Sequence, residues 1–131
     1  MKVQAILFDF DGTLADTMQK HFFCWKQSLG EVGVVINEDD YFPMEGSSLH
    51  KIAEKYTGSQ EQQFLDKLVK IKKQLYVDLY KHETIAFYPG AVKLIQFLTE
   101  KYPLAIVTAG HEDQLRKTVP KEFLNLFANL W

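Results

Sequence analysis

Residues 3–10, VQAILFDF, are apolar almost without a break and run straight into Asp11-Gly12. A short apolar run closed by a turn signal reads as a strand covered on both faces, the kind found in parallel sheets. Residues 104–109, LAIVTA, show the same character and end at Gly110. Between them the pattern is mostly helical. The order strand, long helical insert, helix, strand, helix suits an α/β protein with a parallel-sheet core of Rossmann-like type.

The insert carries its own periodicity. Residues 17–30 follow Asp16, a candidate N-cap, and place Phe22, Trp25 and Leu29 at helical spacing. Residues 33–48 are mixed, with Pro43 and Gly46 as breakers. Residues 60–80 set Phe64, Leu68, Ile71, Leu75 and Leu79 at steps of three and four, with Lys67, Lys70 and Lys73 off that stripe, which predicts a long amphipathic helix. Tyr88-Pro89-Gly90 is a turn, after which Ala91, Leu94, Ile95 and Leu98 form another helical face. Residues 111–119 read as helix until Pro120. Residues 16–85 are therefore expected to be a helical cap, and residues 1–15 and 86–131 the α/β core.

Composition narrows the function classes. The chain has 131 residues, enough for one domain or a small core with an insert. Fifteen Lys+Arg face seventeen Asp+Glu, and Arg116 is the sole arginine, so no nucleic-acid partner is expected. Cys24 is the single cysteine and has no internal disulfide partner, which fits a reducing, cytoplasmic setting. The apolar run at the N-terminus is too short for a signal-peptide core, and no stretch approaches the roughly 18 apolar residues of a membrane span.

The chemistry concentrates in Asp9-Phe10-Asp11-Gly12-Thr13-Leu14. Residues two apart on a strand point to the same side, so both carboxylates are expected together at the carboxyl end of the first strand, where open α/β sheets place their ligands. One carboxylate can attack phosphorus and the other can move protons. Two neighbouring acids also repel, which favours a bound cation such as Mg²⁺. Gly12 permits the sharp turn.

FDFDGTL, directly after an apolar strand, resembles the opening signature of the haloacid dehalogenase-like hydrolases. The resemblance implies that Asp9 is the nucleophile, that Asp11 is the general acid/base, and that both hold Mg²⁺, Asp11 through its backbone carbonyl. An acid at Asp11 points to phosphoryl transfer rather than carbon–halogen cleavage. The family's second motif is a Thr or Ser closing the second core strand. Thr108 in AIVTAG occupies that place, with the N–H groups of Ala109 and Gly110 and the next helix N-terminus expected to hold phosphate oxygens.

DTMQKHFFCW resembles the start of the helical cap in the β-phosphoglucomutase-like and phosphoglycolate phosphatase-like branch, through Asp16, Thr17, His21 and Trp25. His21 reads two ways, as a residue that helps place the acid/base Asp or as a histidine on a helix surface. Trp25 reads as packing. MEGSSLHKIAEKY resembles the cap's substrate-specificity loop, with Gly46 and Ser48 matching. The mutase pattern continues with an Arg, and this chain has Leu49 there. Lys72 reads either as the branch's phosphate-reaching lysine or as one more lysine on a solvated face.

The family continues beyond its second motif with further strand–helix units carrying a Lys and a paired acid. Only 23 residues follow Thr108, and Lys117 and Lys121 are poor counterparts of that Lys. The expectation is a C-terminally truncated core, with weaker Mg²⁺ binding and an uncovered sheet edge that invites self-association. The leading function is Mg²⁺-dependent hydrolysis of a small phosphorylated metabolite through an aspartyl-phosphate on Asp9. The alternatives are an inactive remnant that binds a partner or itself, and a phosphosugar mutase, against which Leu49 argues. A phosphonate hydrolase would need a Schiff-base lysine that the sequence does not single out.

Overall fold

The computed structural model describes residues 1–131 and resolves them into two units, Met1–Thr17 with Glu83–Trp131, and Met18–His82.

The first unit is built on three short parallel strands, β1 (Ile6–Phe8), β2 (Leu104–Ile106) and β3 (Asn129–Leu130), in the spatial order β1-β2-β3. β1 and β2 pair in the register Ile6 with Leu104, Leu7 with Ala105 and Phe8 with Ile106. β2 is central and buried along its length, as its apolar run requires. β1 differs from expectation. It is shorter than the 3–10 stretch, and Leu7 is 58% exposed. β1 has a single neighbour and forms an edge of the sheet, and Leu7 points to the face opposite Ile6 and Phe8, which is left uncovered. β3 arises where no strand was expected, because Ala128 and Trp131 N–H groups reach the Leu104 and Ile106 carbonyls at 2.7 Å each. Helix α5 (Ala91–Thr99) buries Ala91 and Ile95 but leaves Leu94 exposed. Helices α6 (Glu112–Thr118) and α7 (Lys121–Leu124) flank Pro120.

Five phenylalanines fill this unit in a chain of ring contacts. Phe8 meets Phe127 at 6.4 Å, Phe127 meets Phe123 at 5.3 Å, Phe123 meets Phe87 at 4.5 Å, and Phe87 meets Phe10 at 6.4 Å. Three of these four pairs are edge-on, an arrangement that aromatic quadrupoles favour, and the fourth is tilted.

The second unit is helical: α1 (Met18–Gly30), α2 (Glu38–Tyr41), a 3₁₀ turn (Phe42–Met44), α3 (Leu49–Thr57) and α4 (Gln62–Leu79). α1 begins at Met18, so Thr17 rather than Asp16 precedes it. Asn37 caps α2 by accepting from the Asp40 N–H at 2.9 Å. α1 and α3 both pack on α4. Their shared core contains Trp25, Leu29, Ile52, Leu65, Leu68 and Val69, so Trp25 does serve packing. On α4 the buried face is Leu65, Leu68, Val69, Lys72 and Tyr76, and of the expected stripe only Leu68 is buried. The stripe turns by about one residue because the facing helices select the buried side, and a lysine enters it. No helix is long and apolar enough to cross a membrane.

Cys24 lies fully buried in α1. Burial pushes its thiol up from the usual 9.0 to about 11, against the opposing pull of Lys72 and Lys20. The folded thiol therefore keeps its proton where the unfolded thiol has lost it. This contribution to stability is fully present below about pH 9 and is lost as pH rises through about 11. We expect the folded chain to resist thiol reagents at pH 8, with labelling that follows unfolding. Rapid labelling without denaturant would contradict this placement.

Candidate active site

The β1 tip is set by local alternation. Past Phe8 the chain places Asp9 exposed, Phe10 1% exposed and Asp11 half-buried, so the aromatic ring turns inward and the carboxylates do not. Asp9 sits between Phe8 and Phe10, whose rings are the two ends of the phenylalanine chain. Its Oδ1 accepts from the Phe10 N–H at 2.9 Å, while Oδ2 accepts from no protein group. Gly12 adopts φ 76°, a left-handed conformation that costs any residue with a Cβ, and the turn closes with Gly12 N–H donating to the Ala15 carbonyl at 2.9 Å. This turn brings the Thr17 hydroxyl back to donate to Asp11 Oδ1. Thr17 is fully buried, so this bond fixes one carboxylate oxygen. The sequence pattern named Thr17 without giving it this task.

The second edge of the site is the end of β2. Val107 N–H donates to the Phe8 carbonyl at 2.8 Å, which continues the pairing one residue past β2. Asp9 and Thr108 therefore lie beyond the carboxyl ends of adjacent parallel strands. Gly110 differs from expectation: its N–H donates to Thr108 Oγ1 at 3.1 Å and is engaged within the loop. The Ala109 N–H has no protein acceptor and stays available. The start of α6 also differs from expectation, because Glu112 and Asp113 occupy its first turn and offset the positive end of the helix. Arg116 balances Glu112 at 2.6 Å.

Gln114 was not flagged by the sequence and carries no motif signal. It is 6% exposed, and its Oε1 has no hydrogen-bond partner. A Cβ built on Gly110 would lie 3.4 Å from Thr108 Oγ1 and 3.9 Å from Gln114 Nε2, so the amide nitrogen and the hydroxyl flank one point beside the loop. A buried acceptor without a partner costs about 1–3 kcal/mol.

The remaining candidates lie in the helical unit. His21 and Lys72 are buried, at 6% and 1% exposure, so neither is a surface residue. Lys72 Nζ lies 2.7 Å from His21 Nδ1. With Lys72 as an ammonium, which only donates, Nδ1 is the acceptor of this contact. Tyr76 stacks on His21 with centroids 4.2 Å apart. The Lys72 ammonium lies 5.2 Å from the Tyr76 ring centroid and 5.8 Å from that of Trp25, within cation–π range. Ser48 caps α3 by accepting from the Lys51 N–H at 3.3 Å, and Gly46, exposed, turns the chain before it. Leu49, at the mutase-arginine position, is 8% exposed and belongs to the helical core. His50, given no role from the sequence, pairs with Asp66 at 2.7 Å. That bond, with one from Gln62, holds the Asp66 carboxyl below the usual range.

The donor set near β1 is all oxygen, from Asp9 and Asp11. No group of three His, Cys, Asp or Glu side chains gathers to hold a metal. Mg²⁺ takes one or two carboxylates and completes its shell with water and substrate phosphate, so the two acids fit it.

The Asp-Phe-Asp-Gly tip and the hydroxyl that closes the adjacent strand lie together past the carboxyl ends of the parallel strands, where open α/β sheets bind ligands. The haloacid dehalogenase-like hydrolase profile matches residues 6–127, and the chain belongs to that family. Its fold is similar to a β-phosphoglucomutase from Clostridium difficile (18% identity, TM-score 0.81, covering 98% of this chain and 61% of that one). It is also similar to a candidate phosphoglycolate phosphatase from Lactobacillus plantarum (22%, 0.81, 99% and 61%). A third similar structure is CbbY from Rhodobacter sphaeroides in complex with xylulose-1,5-bisphosphate (22%, 0.78, 98% and 63%). The chain thus spans about three fifths of the length of these structures.

Proposed function

We propose that this chain carries the nucleophile half of a Mg²⁺-dependent phosphatase acting on a small phosphorylated metabolite. The observation that supports it most is the Asp9 carboxylate, exposed and with Oδ2 uncommitted, beside the Thr108 loop at the carboxyl end of the sheet. In this reading Asp9 Oδ2 attacks phosphorus, the bond to the leaving oxygen breaks, and Asp11 gives that oxygen its proton. Asp11 then takes a proton from the water that hydrolyses the aspartyl-phosphate. Thr108 and the Ala109 N–H orient the phosphate oxygens. The Gly110 N–H acts indirectly, by holding Thr108. Asp9 and Asp11 would hold Mg²⁺, which when bound neutralises phosphate charge. We also propose His21, Gly46, Ser48 and Lys72, all residues of the helical unit, as substrate-binding. The buried Leu49 favours hydrolysis over a mutase reaction, since it supplies no charge for a second phosphate.

A second reading, phosphate binding without turnover, is favoured by the lack of a third metal-holding side chain. Phosphate release from p-nitrophenyl phosphate, with Mg²⁺ and with EDTA, separates the two. Metal-dependent release is expected. A folded chain that binds phosphate but releases none in either condition would overturn the catalytic reading and leave the second.

A further inference from the structure

The geometry points to Trp131 as the residue that selects the organic part of the substrate, and to a phosphomonoester carrying a flat aromatic ring as the class it selects. This rests on the phosphate-site reading above. β3 pairs with β2 in parallel, Ala105 with Asn129 and Ile106 with Leu130. The pairing runs one residue further. The Trp131 N–H donates to the Ile106 carbonyl at 2.7 Å, and the Trp131 carbonyl accepts from the Thr108 N–H at 3.0 Å. A residue bonded in this way to two positions of a parallel neighbour sits opposite the residue between them, so Trp131 pairs with Val107. On the other side of β2, Phe8 pairs with Ile106, which sets Asp9 beside Val107. Asp9, Val107 and Trp131 thus form one row across three strands, two strand spacings or about 10 Å from end to end.

Paired residues share a face of the sheet, and neighbours along a strand alternate. Phe8 and Phe10 face the phenylalanine chain, so Asp9 turns to the other face, and Val107 and Trp131 turn with it. That face is open and apolar. Trp131 is 61% exposed and Val107 41%, and one row back stand the exposed Leu7 and the single methyl of Ala105. The row therefore leads from the proposed nucleophile onto an open indole. A phosphate held at Asp9 and Thr108 tethers its organic group beside this shelf. Hydroxyls laid over Val107 and the indole would give up water without gaining a partner. An aromatic ring loses nothing there and stacks on the indole. Trp25, the other tryptophan, is buried in the helical core, so Trp131 is the one indole that faces solvent. In this account it touches the ring of the substrate and not the reacting phosphorus.

The test titrates the 131-residue chain with methylphosphonate and phenylphosphonate, with Mg²⁺ and at a pH where both are dianions. The two share the charged head, differ in the ring, and are not hydrolysed. The wild-type chain is expected to bind phenylphosphonate about tenfold more tightly than methylphosphonate. Trp131→Ala is expected to bind the two equally, with its affinity for methylphosphonate unchanged, and Trp131→Phe, which keeps a ring, to retain most of the preference. The Trp131 indole N–H resonance is expected to move with phenylphosphonate and to stay in place with methylphosphonate. Equal affinities in the wild-type chain, or a preference that survives in Trp131→Ala, would overturn the role of Trp131 and leave the phosphate site standing. A wild-type chain that binds neither ligand would overturn the phosphate-site reading and this inference with it. Should Trp131→Ala lose β3, read as fast exchange of the Ala128 amide, the wild-type indole resonance decides: equal shifts with the two ligands would overturn the proposal.

Discussion

Asp9→Asn is expected to lower metal-dependent phosphate release by at least about a thousandfold while leaving the fold intact. The reason is the separation of the two carboxylate oxygens. Oδ1 accepts the Phe10 N–H at 2.9 Å, and an asparagine carbonyl can accept the same bond. Oδ2 makes no bond within the protein, so an amide nitrogen in its place removes nothing structural. That nitrogen is uncharged, and its lone pair is delocalised, so it is a poor nucleophile toward phosphorus. Turnover and the thermal midpoint, measured side by side, check this. Full turnover in the variant would move the attack to another group. Lost turnover with a lowered midpoint would mean that Asp9 holds the turn rather than performing the chemistry.

Phe10→Ala is expected to destabilise the α/β unit by about 3–5 kcal/mol, the range for removing a fully buried ring. Phe10 is 1% exposed and meets Phe87 edge-on at 88°. Its backbone also receives the turn: the Thr13, Leu14 and Ala15 N–H groups all approach the Phe10 carbonyl, at 2.9–3.2 Å. Losing the ring thus loosens both the core and the segment that aims Asp9. Phe10→Leu keeps most of the apolar volume and is expected to lose about 1–2 kcal/mol. Denaturant unfolding monitored by exchange of the β2 amides reads both variants. A loss below about 1 kcal/mol in Phe10→Ala would show that the phenylalanine contacts do not hold this unit together.

The acidic tip was legible because it is local. Alternation places Asp9 and Asp11 on the side opposite Phe10, and Gly12 is the residue that accepts φ 76°. The helices were legible for the same reason, since α1 and α4 follow apolar spacing within a few turns. The face that α4 buries was less so. Apolar spacing allowed two neighbouring stripes, and the packing of α1 and α3 chose the one containing Lys72.

By itself the sequence determined the strand that carries the acids, the turn that returns Asp11, the threonine after β2 and the family these residues define. Each depends on groups within a few residues of one another. The tertiary structure decided which polar groups are buried and what they touch. Lys72 meets His21 across 51 positions of sequence, and Phe8 meets Phe127 from opposite ends of the chain. β3 exists because β2 offers it carbonyls. Gln114 is buried on a helix of seven residues, too short to announce a buried face. Burial and hydrogen-bond partnership are properties of neighbours in space, and residue spacing encodes them only where those neighbours are also near in sequence.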